Sequence, residues 1–175
     1  MTEHAKERNS TLIKPSTIRL ERLLPGPVER VWAYLTESKK RATWLAAGEF
    51  DLRIGGKIEL HFENDKLPND VVPEGKGGRN SFEGKITRLE PLRALGHTWL
   101  WNGKLTEVLY ELTPRGKDVL LTIHHKLPDE RGIKVGVSAG WVVHTGILAD
   151  HLNGVKPRPF YTTHARLQNE YEATV

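Results

Sequence analysis

Two hydrophobic periods alternate along the chain. Residues 57–63, KIELHFE, alternate strictly, which puts Ile58, Leu60 and Phe62 on one face of an extended segment and Glu59, His61 and Glu63 on the other. A half-buried antiparallel strand has this pattern. The same period of two predicts strands at 82–89, 94–101, 106–113 and 119–127, separated by the turn signals Glu90-Pro91, Asn102-Gly103 and Pro114-Arg115-Gly116. Short turns between strands make an antiparallel meander. A first strand is expected at 17–24, where alternation is partial.

The helical period takes over at Val28, Val31, Trp32 and Leu35, spaced as one apolar stripe just after Pro27. A second short helix is expected from Ser38, carrying Thr43, Trp44 and Leu45 on its inner end, so two short helices follow strand 1. The third helix, 138–154, is different in kind. Trp141, Leu148 and Leu152 form a seam with Val142 and Ala149 beside it, while Val143 and Ile147 lie well round the other side. Only Gly146, Asp150 and Asn153 cluster as a wet strip, so most of the circumference needs cover. Ser138 reads as its cap and 128–136 as a polar connection. Residues 64–81 read as a long loop, Gly55-Gly56 as a tight turn, 1–16 as a flexible arm, and 163–172 as a short helix in a tail over 155–175. The main domain then spans 17–154.

A curved antiparallel sheet of six or seven strands, wrapped round the long C-terminal helix, gives an apolar helix shelter on several sides. The fold class is α+β, and the two layers leave a space between them. Strand parity turns Phe62, Phe82, His97, Trp99, Trp101, Tyr110 and His125 toward the helix. Rings with polar tips suit the wall of a cavity better than a dry core. The alternative is that Trp99, Trp101 and Tyr110 fill the space and bond to backbone. The expected ligand-binding set is Phe62, Trp99, Trp101, Tyr110, His125, Trp141, His144 and Leu148.

Composition narrows the chemistry. There is no cysteine, so disulfides, thiolate metal sites and cysteine nucleophiles are excluded together, which suits a cytoplasmic location. The net charge of +4 comes from 26 basic residues interleaved with 22 acidic ones, a mixed surface rather than a nucleic-acid footprint. The densest basic run, Lys39-Lys40-Arg41, lacks stacking aromatics. No apolar run reaches membrane-spanning length and no secretory signal opens the chain, so neither a membrane nor a nucleic acid is expected as partner.

Eight histidines raise the question of a metal. His144 and His151 lie seven residues apart on one helix, about 10.5 Å, too far for one tetrahedral ion. His124 and His125 point to opposite strand faces. A set of His97, His125 and His144 is geometrically open, but no metal and no cofactor is expected. No nucleophile elbow occurs, and the carboxylates Glu59, Glu63 and Glu111 fall on the outer face. His125 is the one candidate acid or base, for an aldol-type cyclisation.

Several motifs in order resemble the activator of heat-shock-protein-90 ATPase homologue family, within the START-like or SRPBCC superfamily. They are PVERVW at 27–32, TWL at 43–45, DLRIGG at 51–56, FEGKI at 82–86 leading to Glu90-Pro91, Thr98-Trp99, YELTP at 110–114, LTIHH at 121–125 and Gly140-Trp141. The resemblance runs from about Thr17 to Leu152 and implies a helix-grip fold over a deep cavity. It also implies that His125 and Trp141 hold the family's strand histidine and helix-opening tryptophan positions. The leading expectation is a non-catalytic carrier or sensor of a small hydrophobic or aromatic molecule. The alternatives are a cyclase or aldolase-type enzyme in the same cavity, or a chaperone-partner module suggested by the family name alone. A homodimer is conceivable, with the tail after Pro159 as its contact.

Overall fold

The computed structural model describes residues 10–14, 17–67, 72–101 and 103–174. Seven strands form one antiparallel sheet: β1 (Ser10–Lys14), β2 (Thr17–Pro25), β3 (Lys57–Phe62), β4 (Asn80–Glu90), β5 (Ala94–Trp101), β6 (Lys104–Arg115) and β7 (Asp118–Lys126). Their order across the sheet is β1-β2-β7-β6-β5-β4-β3. Strands β3 to β7 are the expected meander, and β2 returns to pair with β7 along its whole length. Helices α1 (Val28–Thr36) and α2 (Ser38–Arg41) fill the connection from β2 to β3. Then α3 (Arg131–Leu152) crosses the concave face and α4 (Phe160–Thr174) packs against α3. This is the α+β helix-grip fold.

The strands sit where alternation puts them. Ile58, Leu60, Ile86, His97, Val108, Tyr110, Leu121, Ile123 and His125 are all buried, and most intervening positions are half-buried or exposed, Gly96 and Thr122 being buried as well. Gly55 takes a φ of 79°, as the turn ahead of β3 requires.

Four readings need correction. Part of the expected N-terminal arm is a strand, because Ser10–Lys14 pairs with β2 and covers its edge; residues 1–9 lie outside the described residues. The long helix begins at Arg131, inside the stretch read as a polar connection. Ser138 is therefore two turns inside α3 and caps nothing. Gly132, Lys134 and Gly136 hide these turns from a propensity argument, but packing of Val135 and Ala139 holds them, as tertiary contact usually does for a helix. The loop 64–81 is shorter than read. It opens with a 3-10 turn, Asn64–Lys66, and gives its last two residues to β4, while residues 68–71 lie outside the described set.

The fourth correction concerns the wet strip on α3, of which only Asn153 stays wet. Asp150 takes Arg158 through both its oxygens, with Nε at 2.9 Å and Nη2 at 3.0 Å, and also accepts from the Arg158 backbone N–H. The guanidinium then lies over Gly146, where a Cβ would meet Nη1 at 2.7 Å and Cζ at 2.8 Å. Mid-helix glycine to alanine ordinarily adds up to about 1 kcal/mol. Here Gly146→Ala is expected to reverse that sign and lose about 1–2 kcal/mol, because Arg158 must leave Asp150; urea unfolding measures it. The tail beyond Pro159 folds back and buries Phe160 and Leu167 within its own chain.

α3 has the length and composition of a membrane-spanning helix, yet 61% of its apolar window is buried within the protein. Its apolar girth is used by the sheet on one side and α4 on the other. A buried arginine ties it down: Arg22, on the inner face of β2, donates from Nη2 to the Val142 carbonyl at 2.8 Å and from Nε to Thr145 Oγ1 at 3.4 Å.

Candidate functional site

Between the sheet and the N-terminal half of α3 lies a cleft of about 490 Å³, open to solvent at one end. Helical spacing supplies one wall, since Val137, Gly140, Trp141 and His144 recur every three or four residues on one face of α3. The opposite wall is the inner face of the sheet: Phe62 at the end of β3, Phe82 in β4, Trp99 in β5 and His125 in β7. Leu45, Asn64, Asn80 and Ser81 complete the rim. The rings form one connected cage. Trp99 stacks between Phe62 (5.5 Å, 19°) and His125 (5.4 Å, 20°), and Trp141 stands edge-on to Trp99 at 6.2 Å and 87°.

Hydrogen bonding settles the state of His125. Trp141 Nε1 can only donate, and it points at His125 Nδ1 at 3.0 Å, so that nitrogen carries no proton. The neutral ring must then hold its proton on Nε2, which donates to Thr106 Oγ1 at 3.0 Å. The Thr106 hydroxyl passes its own hydrogen to the Trp99 carbonyl at 2.8 Å. Every polar atom in this chain is used. Burial opposes a charge on the ring, aided by nearby His97, and pushes its pKa down to about 3.

His97 is locked in the other tautomer. Its Nδ1–H donates to the Thr98 carbonyl at 2.9 Å, which leaves Nε2 to accept from the Tyr110 hydroxyl at 3.2 Å. Burial lowers the His97 pKa to about 4 and raises that of Tyr110. In His144, Nδ1–H donates to the Trp44 carbonyl at 2.7 Å, and Nε2 is left as a bare acceptor. Its ring packs between Phe62 and Phe160, and burial lowers its pKa to about 4. Among the described residues no lining residue is Asp, Glu, Lys or Arg, and the three histidines in and behind the walls are neutral. Among the described residues, no group of three His, Asp or Glu is placed to hold a metal ion.

Of the residues expected from the sequence, Phe62, Trp99, His125, Trp141 and His144 line the cleft together. Tyr110 and Leu148 do not. Tyr110 is spent on His97 one layer deeper, and Leu148, fully buried one turn beyond His144, packs in the core. The side chain of Trp101 lies outside the described residues. The expected set lacked Phe82, although parity turned it inward, and sequence reasoning missed Leu45, Asn64, Asn80, Ser81, Val137 and Gly140 as lining residues. Gly140 and Val137 were within reach of a helical projection carried further back along α3. The Asn64 side chain was not, because a 3-10 turn inside a polar loop has no periodic signal.

Residues 25–153 match the family described as Activator of Hsp90 ATPase homolog 1-like protein. No protein of curated function matches the sequence significantly. Among solved structures, a Bordetella parapertussis protein is 37% identical, over 94% of this chain and 89% of its own, with a TM-score of 0.80. CalU16 from Micromonospora echinospora is 23% identical over 90% of this chain and 86% of its own, at 0.66. DynU16, from the dynemicin biosynthetic locus, is also 23% identical, over 81% of this chain and 49% of its own, at 0.65. These last two show a shared fold.

Proposed function

The chain belongs to the Activator of Hsp90 ATPase homolog 1-like family, and from that premise we propose that it binds an apolar or aromatic small molecule in the cleft between α3 and the sheet. It acts there as a non-catalytic carrier or sensor in the cytoplasm. The supporting observation is the cleft itself: about 490 Å³, walled by rings, without a charged side chain. Small-molecule sites commonly fall in the range of about 300–1,000 Å³, apolar with a few convergent polar groups.

The carrier reading is preferred to a cyclase because a base is wanting. Both His125 nitrogens are occupied in a chain that ends on backbone, so proton transfer there requires breaking the cage. His144 has a bare Nε2, but burial holds it near 4, far from the value that suits a general base at neutral pH. A chaperone partner has no support from particular residues of this chain.

Gly140 offers a clean test. It lines the cleft, and a Cβ built on it meets nothing within 4 Å. Gly140→Leu should therefore place its Cβ without a clash, send the rest of its side chain into the cleft and gain about 0.5–1 kcal/mol of helix propensity. The expected result is an equal or higher melting temperature together with at least tenfold weaker binding of N-phenyl-1-naphthylamine, followed by its emission. Undiminished binding in a folded Gly140→Leu protein would overturn the proposal.

A further inference from the structure

One buried donor on a cleft-lining residue has no use among the described residues. Trp99 Nε1–H is buried and has no hydrogen-bond acceptor among the described residues. Its neighbours Trp141 and His125 are fully paired, so the vacancy is particular to Trp99. A buried donor without an acceptor costs about 1–3 kcal/mol, and folded proteins keep few of them. Asn64, on the rim of the same cleft, has a second such atom in its buried Oδ1.

The rings packed round Trp99 are Phe62, Phe82, His97, His125 and Trp141, and all but His97 line the cleft. The N–H is itself buried, so a molecule in the cleft reaches it only by displacing some of these rings. An indole N–H donates and never accepts, so the ligand atom that meets it must be an acceptor. Charge adds a second condition. An ionised ligand would leave water for walls that contain no opposite charge, a transfer that is unfavourable unless a partner waits inside.

We infer that the cleft selects an uncharged aromatic ketone, whose carbonyl oxygen accepts from Trp99 Nε1–H while its ring system stacks among Phe62, Phe82 and Trp141. This rests on the cleft being the binding site. A carbonyl matches this donor because it brings an acceptor whose plane continues that of the aromatic ring. Selection then comes from the protein's unpaired donor: a hydrocarbon of the same shape leaves it unpaired, and a carboxylate brings a charge that nothing neutralises.

Three naphthalenes of similar size separate these claims: 2-acetylnaphthalene, 2-ethylnaphthalene and 2-naphthoate, titrated calorimetrically at pH 8 into the full chain. The ketone should bind about tenfold more tightly than the hydrocarbon, the value of one hydrogen bond to a buried donor. The carboxylate should bind at least tenfold more weakly than the ketone. Trp99→Phe should weaken the ketone alone and so erase its advantage over the hydrocarbon. In the wild-type protein, the ketone but not the hydrocarbon should move the Trp99 indole N–H proton resonance downfield, a readout that does not depend on the variant folding. Equal affinity for ketone and hydrocarbon, an advantage that survives Trp99→Phe, or naphthoate bound as tightly as the ketone overturns the inference while leaving a binding cleft. Failure of all three to bind, or binding unchanged in Gly140→Leu, removes the cleft as a site and the inference with it.

Discussion

Acidification should unfold this protein steeply between about pH 6 and pH 4. His97, His125 and His144 are buried and neutral, with pKa values pushed from the ordinary 6.5 to about 4, 3 and 4. Above about pH 6.5 both folded and unfolded chains carry these rings unprotonated, and stability is whole. Below it, the unfolded chain takes up protons that the folded chain refuses, so stability falls as pH drops toward the folded values. Each such proton costs about 1.4 kcal/mol per pH unit, and three together about 4 kcal/mol per unit. Two such units remove about 8 kcal/mol, which is all or most of what a domain holding about 5–10 kcal/mol has. Urea unfolding at half-unit steps from pH 7 to pH 5 gives the slope. His144→Phe, which keeps a ring between Phe62 and Phe160, should lower that slope by one proton whatever it does to stability at pH 7. A free energy that stays flat from pH 7 to pH 5 would mean that these rings are not buried as described.

The second large effect is expected at Arg41. This residue closes a run of three basic residues on α2, yet it is buried while Lys39 and Lys40 are not. Its guanidinium donates to four backbone carbonyls: Ala46 at 3.1 Å, Leu35 at 3.0 Å, Thr36 at 3.2 Å, and Gly48. It also lies 3.6 Å above the centre of the Phe50 ring. Burial lowers its pKa to about 10, which still leaves it charged at neutral pH. Arg41→Met should cost about 3–5 kcal/mol, since it removes a cation and strands carbonyls that have no water to turn to. Arg41→Lys should recover little, because one ammonium cannot span four acceptors that a planar fork reaches. Lys39→Ala and Lys40→Ala should each change stability by less than about 0.5 kcal/mol. Chemical denaturation of the four variants decides it; equal effects across the run would show that Arg41 does not hold the connection from α1 to β3.

Arg41 also marks where a reading of the chain stops. The pattern KKR looks the same whether its last member faces water or is caged by carbonyls, because the cage comes from the turn at residues 46–48 and the end of α1. Arg22 is the same case on β2. Its place on the inner face follows from alternation with Ile18, Leu20 and Leu24, but its partner, the carbonyl of Val142, lies 120 residues away. The six cleft rings were legible as inward-facing because strand parity and helical spacing are local, and both give direction as well as element type. Tyr110 and Leu148 have the right faces and the wrong depth, a quantity that periodicity does not contain.

Local chemistry along the chain determines strands β2 to β7, the short helices and the inward direction of Phe62, Trp99, His125, Trp141 and His144. Side-chain period and turn residues act over a few positions and need no distant partner. Tertiary structure alone decides that α3 starts at Arg131, that Asp150 and Gly146 lie beneath Arg158, that His125 is held neutral by Trp141 and Thr106, and that the Trp99 N–H goes without an acceptor. Hydrogen-bond pairing and burial are sums over groups far apart in sequence, and they have no value until the chain has closed on itself.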